Sequence, residues 1–272
     1  MFRFRQAAVC LLVALPAIAQ SQAYTSIRIK PAGSAGGARL QVSPNGDLMA
    51  SAVPVVQLLN SAYDLPGNGS PRLSPLPDWT LTEKYDIEAK ARANAVSPNL
   101  LYREARARNQ QMMRELLVDR FKLVMRIENK SMPIYVLAVA AGGPKLQKSA
   151  IAEKECTFDD GPGTCHSFAG GLGHPLNATA IDMEDLVHYI ANWTDRPVVN
   201  RTALGGLFTV NTEGWLPMRL PPPPPGAAPG PNPFAGLPTV FTVLERLGLE
   251  LKREEGVLPV YTVERIERPT LN

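Results

Sequence analysis

The sequence predicts an α+β chain built as a tandem duplication of a small strand-helix-strand-helix-strand-strand unit. Three observations predict it: hydrophobic periodicity that switches between strand and helix spacing, self-similarity between the two halves, and the same order of elements in each. Slid by 126 residues, DRFKLVMRIENKSMPIYVL (Asp119 to Leu137) falls without a gap on ERLGLELKREEGVLPVYTV (Glu245 to Val263). Arg120 meets Arg246, Leu123 meets Leu249, Glu128 meets Glu254, Pro133 meets Pro259 and Tyr135 meets Tyr261. Upstream, MASAVPVVQLL (Met49 to Leu59) aligns with NATAIDMEDLV (Asn177 to Val187) at an offset of 128, and KYDIEA (Lys84 to Ala89) with LFTVNT (Leu207 to Thr212) at 123. The expected division is 24–150 for the first repeat and 151–272 for the second.

The segment ahead of the first repeat has its own pattern. Arg3 and Arg5 precede an apolar run from Ala7 to Leu15, and small residues follow at Ala17 and Ala19. That is the three-part layout of a secretory signal peptide, so residues 1–19 are expected to be removed, with cleavage after Ala23 as the second choice. A membrane anchor would need roughly 20 apolar residues, and this run stops at Pro16. The expected localisation is therefore export to the periplasm or beyond. Removing residues 1–19 leaves 26 basic against 25 acidic residues. So balanced a charge means that the sequence pI near 8.8 is no sign of a nucleic-acid partner, and none is expected.

In the first repeat, Pro54 sits at a helix start, where its missing N–H costs nothing. KYDIEA alternates as a strand, and Ser97 with Pro98 caps and begins a long helix over Asn99 to Phe121. In the second repeat LNATAI is a strand leading to Asp182, an N-cap with Glu184 and Asp185 in the first turn, where negative charge suits the helix dipole. Met183, Leu186, Val187, Ile190 and Trp193 then recur at helical spacing. RPVVNRT leads into the strand LFTVNTEGW. Thr239 caps a second helix, VFTVLERLG, and Gly248 is placed to end it.

LELKREE alternates apolar and charged residues and is expected to turn through Glu255 and Gly256 into VLPVYTVERIE as an antiparallel hairpin. The strand around KSMPIYVLAV (Lys130 to Val139) runs on apolar, while its echo GVLPVYTVER turns charged. The first is accordingly expected between neighbours and the second nearer an edge, where charge discourages stray pairing. Residues 216–238 hold five consecutive prolines and no apolar period, so they are expected as an extended surface loop.

Cys156 and Cys165 are the cysteines left after signal removal, with eight residues between them across a Gly/Pro/Asp loop. In an oxidising compartment they are most simply a disulfide.

With these elements placed, TSIRIKPAGSAGGARLQVSPNGDLMASAVPVVQLLNSAYDL, KYDIEAKA, RPVVNRTALGGLFTV and VYTVERIERPTLN resemble a soil-associated family of secreted bacterial proteins. That family is expanded in acidobacteria-like soil bacteria and classed as a domain of unknown function. The resemblance covers nearly the whole mature chain and brings no catalytic residues with it. Ser51, Asn200 and Ala203 depart from its usual phrases. A more distant likeness of residues 176–210 and 243–266 is to the short N-terminal domains of secretins and TonB-dependent receptors. It implies a small α+β envelope module that binds other proteins.

The chain carries no nucleophile elbow, zinc-helix, P-loop, dinucleotide or C-x-x-C motif, so no cofactor is expected. His188 lies on an apolar helix and reads as a packed or rim histidine. His166 and His174 flank the cysteine loop, where Asp159 and Asp160 make a metal site conceivable, although Gly- and Asp-rich loops more commonly make turns. Ser167 beside His166 lacks an orienting third group for nucleophilic work. Arg103, Arg106, Arg108 and Arg114 read as a solvated helix face. Asn68, Asn177, Asn192 and Asn200 carry glycosylation sequons, which matter only in a eukaryotic secretory pathway. The resulting reading is a non-catalytic binding or assembly module of the envelope, partnered by other envelope proteins. An enzyme using Asp86, Glu88 or Glu213 between the repeats and a purely structural protein are the alternatives.

Overall fold

The computed structural model describes residues 23–33, 37–67, 69–158, 165–219 and 232–272. The expected signal segment, Asn68, Asp159, Asp160 and residues 220–231 of the proline-rich loop lie outside these residues. The protein is mixed α+β, with twelve strands in three four-stranded sheets among the described residues.

In the first half the elements are β1 (Tyr24–Pro31), β2 (Arg39–Val42), β3 (Leu48–Pro54), α1 (Val55–Ala62), β4 (Leu73–Ser74), α2 (Trp79–Thr82), β5 (Lys84–Ala91), α3 (Tyr102–Phe121) and β6 (Val124–Val139). The second half runs through β7 (Gln147–Lys148), β8 (Phe168–Gly171), β9 (His174–Ile181), α4 (Met183–Ala191), β10 (Val198–Asn200), β11 (Phe208–Asn211), α5 (Val240–Arg246) and β12 (Leu249–Arg265). Alternation sets the inward face of each strand. In β5, Tyr85, Ile87 and Ala89 are buried while Lys84, Glu88 and Lys90 are exposed.

One sheet has the order β1-β5-β3-β2 and another β7-β11-β9-β8, each antiparallel throughout. The third, β10-β6-β12-β4, joins the halves. In it β6 and β12 pair antiparallel over their whole lengths, from Leu249 opposite Val139 to Arg265 opposite Val124. Short parallel strands flank this ribbon, β10 on β6 at Tyr135 to Leu137 and β4 on β12 at Tyr261 and Thr262.

The ribbon exchanges its ends between two hydrophobic cores. Ile29, Leu48, Leu58, Met112 and Phe121 form the first core, which takes in Val263 from the end of β12. Leu176, Ile181, Leu186, Val210 and Leu244 form the second, which takes in Tyr135 and Leu137 from the end of β6. Each half thus closes its core with the strand that belongs to the other.

Local signals decide the helix ends. Asp182 accepts from the Asp185 N–H at 2.8 Å, and Thr239 accepts from the Thr242 N–H at 3.3 Å, as caps should. Gly248, at φ +70°, takes the left-handed position after α5, and Lys122 takes it after α3. Pro54 precedes α1 as its N-cap.

Three expectations fail, each for a tertiary reason. Residues 249–265 form no hairpin: β12 is one strand whose partner is β6, and Gly256 is small because a Cβ there would collide with the Ile134 side chain. β12 is no edge strand, since β4 flanks it as β10 flanks β6. α3 begins at Tyr102 rather than at Ser97 and Pro98, because Leu101 bridges to Thr157 and the Tyr102 N–H donates to the Cys156 carbonyl at 3.3 Å. The pull of the cysteine loop outranks a local cap signal.

Candidate functional site

Where α3 of the first half meets α4 of the second, two structures adjoin: a buried charge network and an open cleft. The network is held by the Cys156–Cys165 disulfide, which sets His166 on the loop that follows. His166 has a buried side chain and φ +53°, a backbone state unusual for a residue with a Cβ. Its Nδ1 lies 2.7 Å from an Asp185 carboxylate oxygen and its Nε2 3.1 Å from one of Glu153. The ring stacks on Tyr102 at 4.2 Å between centroids, and Tyr102 stacks on Phe158 at 5.7 Å.

Arg103 closes the network from the other half. It donates to Asp182 at 2.5 and 3.2 Å and to Asp185 at 2.6 Å. Burial, the largest single influence, pushes the His166 pKa down, but the hydrogen bond and charge of Asp185 outweigh it and raise the pKa above that of free imidazole. Burial likewise pushes Asp185 up, while His166 and Arg103 together hold it below the usual carboxylate range. The cation–anion pairing is thus mutual, and each carboxylate oxygen of Asp182 and Asp185 already has a partner. Although His166, Asp182 and Asp185 cluster closely enough to hold a metal, Arg103 occupies the place of a cation. Glu153, Cys156 and His166 form the second such cluster, in which the disulfide takes the thiol away.

The cleft has two chambers that share Asp64, Arg106 and His188. The larger, about 430 Å3, is walled by Leu40, Leu65, Met113, Tyr102 and Phe158. Asn60 of α1 and Asn109 of α3 also line it. Both are only 3% exposed, yet Asn60 Oδ1 and both polar atoms of the Asn109 amide have no hydrogen-bond partner among the described residues.

The smaller chamber, about 150 Å3, is lined by Arg72, Arg103, Arg106, Arg196 and Arg219 against the carboxylates of Asp64 and Glu184. Asp64 pairs with Arg106 at 2.5 Å and stands 3.7 Å from His188. Burial pushes the His188 pKa down, which keeps this imidazole neutral.

The expected site residues separate accordingly. Cys156 and Cys165 form their disulfide. His188 lines both chambers, as a rim residue would. His174 begins β9, exposed and away from the network. The arginines of α3 make no solvated stripe: Arg103 and Arg106 reach into the cleft, Arg108 donates to the Ala95 carbonyl at 2.9 Å and Arg114 to the Ala62 carbonyl at 2.6 Å. Their partners come from distant segments, which helical spacing does not reveal.

Asp86 accepts from the Ala52 N–H at 2.9 Å and faces Lys30 at 3.8 Å. Glu88 stands 3.9 Å from Lys90, and Glu213 pairs with Arg246. None of these three acids lines either chamber. Sequence reasoning passed over Asn60 and Asn109. The available signal was a polar residue interrupting an apolar stripe, since Asn109 falls in line with Ala105, Met112, Met113 and Leu116.

The fold and cleft define a two-part α+β protein with a ligand-sized cavity between its parts. The family described as Protein of unknown function (DUF3738) matches residues 56–266, and the chain belongs to it. No curated protein and no solved structure matches the chain.

Proposed function

We propose that the protein is an exported, non-catalytic binding module of the bacterial envelope, made of two copies of one unit, with its recognition site in the cleft between them. The observation that carries the binding reading is the pair Asn60 and Asn109. An unpartnered buried polar atom costs about 1–3 kcal/mol. Asn60 Oδ1 and both polar atoms of the Asn109 amide are such atoms, while Asn60 Nδ2 donates to the Gly67 carbonyl at 3.4 Å, and both residues line a cavity walled from both halves. A protein that served only as structure would gain stability by replacing them with apolar residues. A ligand with amide-complementary polar groups and an apolar body would satisfy them and fill the wall of Leu65, Met113 and Tyr102.

Duplication is supported by the identical strand order of the two outer sheets. Export is supported by the three-part N-terminal pattern and by a disulfide, which persists in oxidising compartments. No helix among the described residues is long and apolar enough to cross a membrane. The resemblances to the soil-bacterial secreted family and to secretin short domains belong to the same reading.

The test is native mass spectrometry of the chain recovered from the envelope fraction of cells that make it, beside its Asn109→Leu variant. The expected result is a processed N-terminus at Gln20 or Tyr24 and a retained small-molecule mass that the variant lacks. An unprocessed chain would overturn export, and a bare mass in both proteins would overturn the binding reading.

A further inference from the structure

We propose that the smaller chamber binds a phosphate group, free or as the head of a phosphomonoester, between the guanidinium groups of Arg72 and Arg219. This deepens the reading of the cleft as a ligand site and rests on it.

The argument is an inventory of charge. Of the five arginines lining the chamber, Arg103 is neutralised by Asp182 and Asp185, Arg106 by Asp64, and Arg196 lies 3.7 Å from Asp195. Glu184 accepts from the Asn200 amide at 2.8 Å instead of pairing with an arginine. Arg72 and Arg219 have no carboxylate in ion-pair range among the described residues. Burial lowers the Arg72 pKa, so its charge is held where water solvates it poorly.

Both groups are nevertheless fixed in place. Arg72 donates through Nε to the Pro259 carbonyl at 2.9 Å and lies over the Tyr261 ring at 5.5 Å. Arg219 donates through Nη1 to the Gly69 carbonyl at 3.2 Å and through Nη2 to the Ala191 carbonyl at 3.3 Å, while its buried Nε has no partner. Two anchored guanidinium groups lining one chamber, each with unspent N–H capacity, match an acceptor that offers several oxygens and two negative charges. A carboxylate has two oxygens and saturates one guanidinium fork, whereas phosphate presents three or four oxygens and can engage both. The neutral His188 ring beside them adds a polar edge without adding charge.

The experiment is isothermal titration of the mature chain with orthophosphate in low-salt buffer, repeated with Arg72→Gln, Arg219→Gln and, as a surface-charge control, Arg28→Gln. The expected result is saturable binding that weakens with added salt, that Arg28→Gln leaves unchanged, and that either chamber variant weakens at least tenfold. Glycerol phosphate in solution and vesicles containing phosphatidic acid separate a soluble phosphomonoester from a lipid headgroup as the source. Absence of saturable phosphate binding, or wild-type affinity in both chamber variants, would overturn the assignment. Should the Gln variants melt early, Arg72→Lys and Arg219→Lys keep a charge and a donor and are expected to weaken binding while folding normally. A retained natural mass without phosphate binding would sink this inference alone; loss of both would sink the cleft.

Discussion

Ser131 and Val257 stand opposite each other at the middle of the β6–β12 ribbon, and they are the two residues that an offset of 126 superposes. On either side the offset exchanges the pairs: Tyr135 faces Arg253, and its equivalent Tyr261 faces Ile127, the equivalent of Arg253. The Tyr135 N–H donates to Pro197 at 2.8 Å and the Tyr261 N–H to Arg72 at 2.7 Å, each from the parallel strand alongside. An arginine lies over each ring, Arg196 over Tyr135 and Arg72 over Tyr261, both at 5.5 Å. Such a register is that of a local twofold axis through the middle of the ribbon.

The shared ribbon has a thermodynamic consequence, because each core takes in residues of both β6 and β12. The two halves should therefore unfold in one transition. Trp79 packs with the first core and Trp193 and Trp215 with the second, so variants retaining one tryptophan each report the halves separately. Their urea midpoints should coincide; midpoints clearly apart would mean that each half folds alone.

Gly256 offers a sharper test of the ribbon. In the strand a Cβ at this position meets the fully buried Ile134 side chain. Overpacking of this kind costs about 1–3 kcal/mol. Gly256→Ala should lower stability by that order, and Ile134→Val should recover part of it in the double variant. A neutral Gly256→Ala, or strictly additive effects, would argue against this packing of Gly256 on Ile134.

The contrast between these residues explains what the sequence discloses. Asp182, Thr239 and Gly248 act on backbone groups within a few residues, so their chemistry is local and readable. Alternation in residues 249–263 specifies a strand equally well whichever strand it pairs with, so the partner 126 residues away was invisible. Ser97 and Pro98 carried a valid helix-start signal that the pull of the cysteine loop on Leu101 and Tyr102 overrode. In the cleft, the acids that engage Arg103 and Arg106 come from α4 and from the end of α1. Only the third dimension brings them together. Asn109 alone was marked in one dimension, as a polar break in an apolar stripe.

The His166 network should give stability a defined pH window. The folded pKa of His166 is raised, so its contribution is complete below 6.5, the value of the free group, and is lost as pH rises through the folded value. The folded pKa of Asp185 is lowered, so its contribution is complete above 3.8 and is lost as pH falls through the folded value. The groups facing His166 are Asp185 from α4, Glu153 from the turn before Cys156, and Tyr102 and Arg103 from α3. His188, with its pKa lowered by burial, works against stability as pH falls below 6.5, so the comparison must be between variants. His166→Asn keeps a residue tolerant of the left-handed backbone and removes the titration. Relative to it, the wild type should lose its Tm advantage on the alkaline side. Parallel Tm profiles from pH 5 to 9 would show that His166 carries no buried charge.

Asn109 poses the question of why a core position should be polar at all. Its amide is buried beside Met112, Met113 and Leu116 and meets no partner, so the folded chain carries the desolvation of two hydrogen-bonding atoms. Leucine has the same branching and no polar atoms, and on desolvation grounds alone it should be better by about 1–3 kcal/mol. Asn109→Leu is therefore expected to raise the urea midpoint of the ligand-free chain while abolishing retention of the cleft's occupant. A stabilised variant that loses its ligand would show stability given up for recognition, as is usual at binding sites. A destabilised Asn109→Leu would mean that the amide makes structural hydrogen bonds in solution, and the case for a ligand would lose its main support.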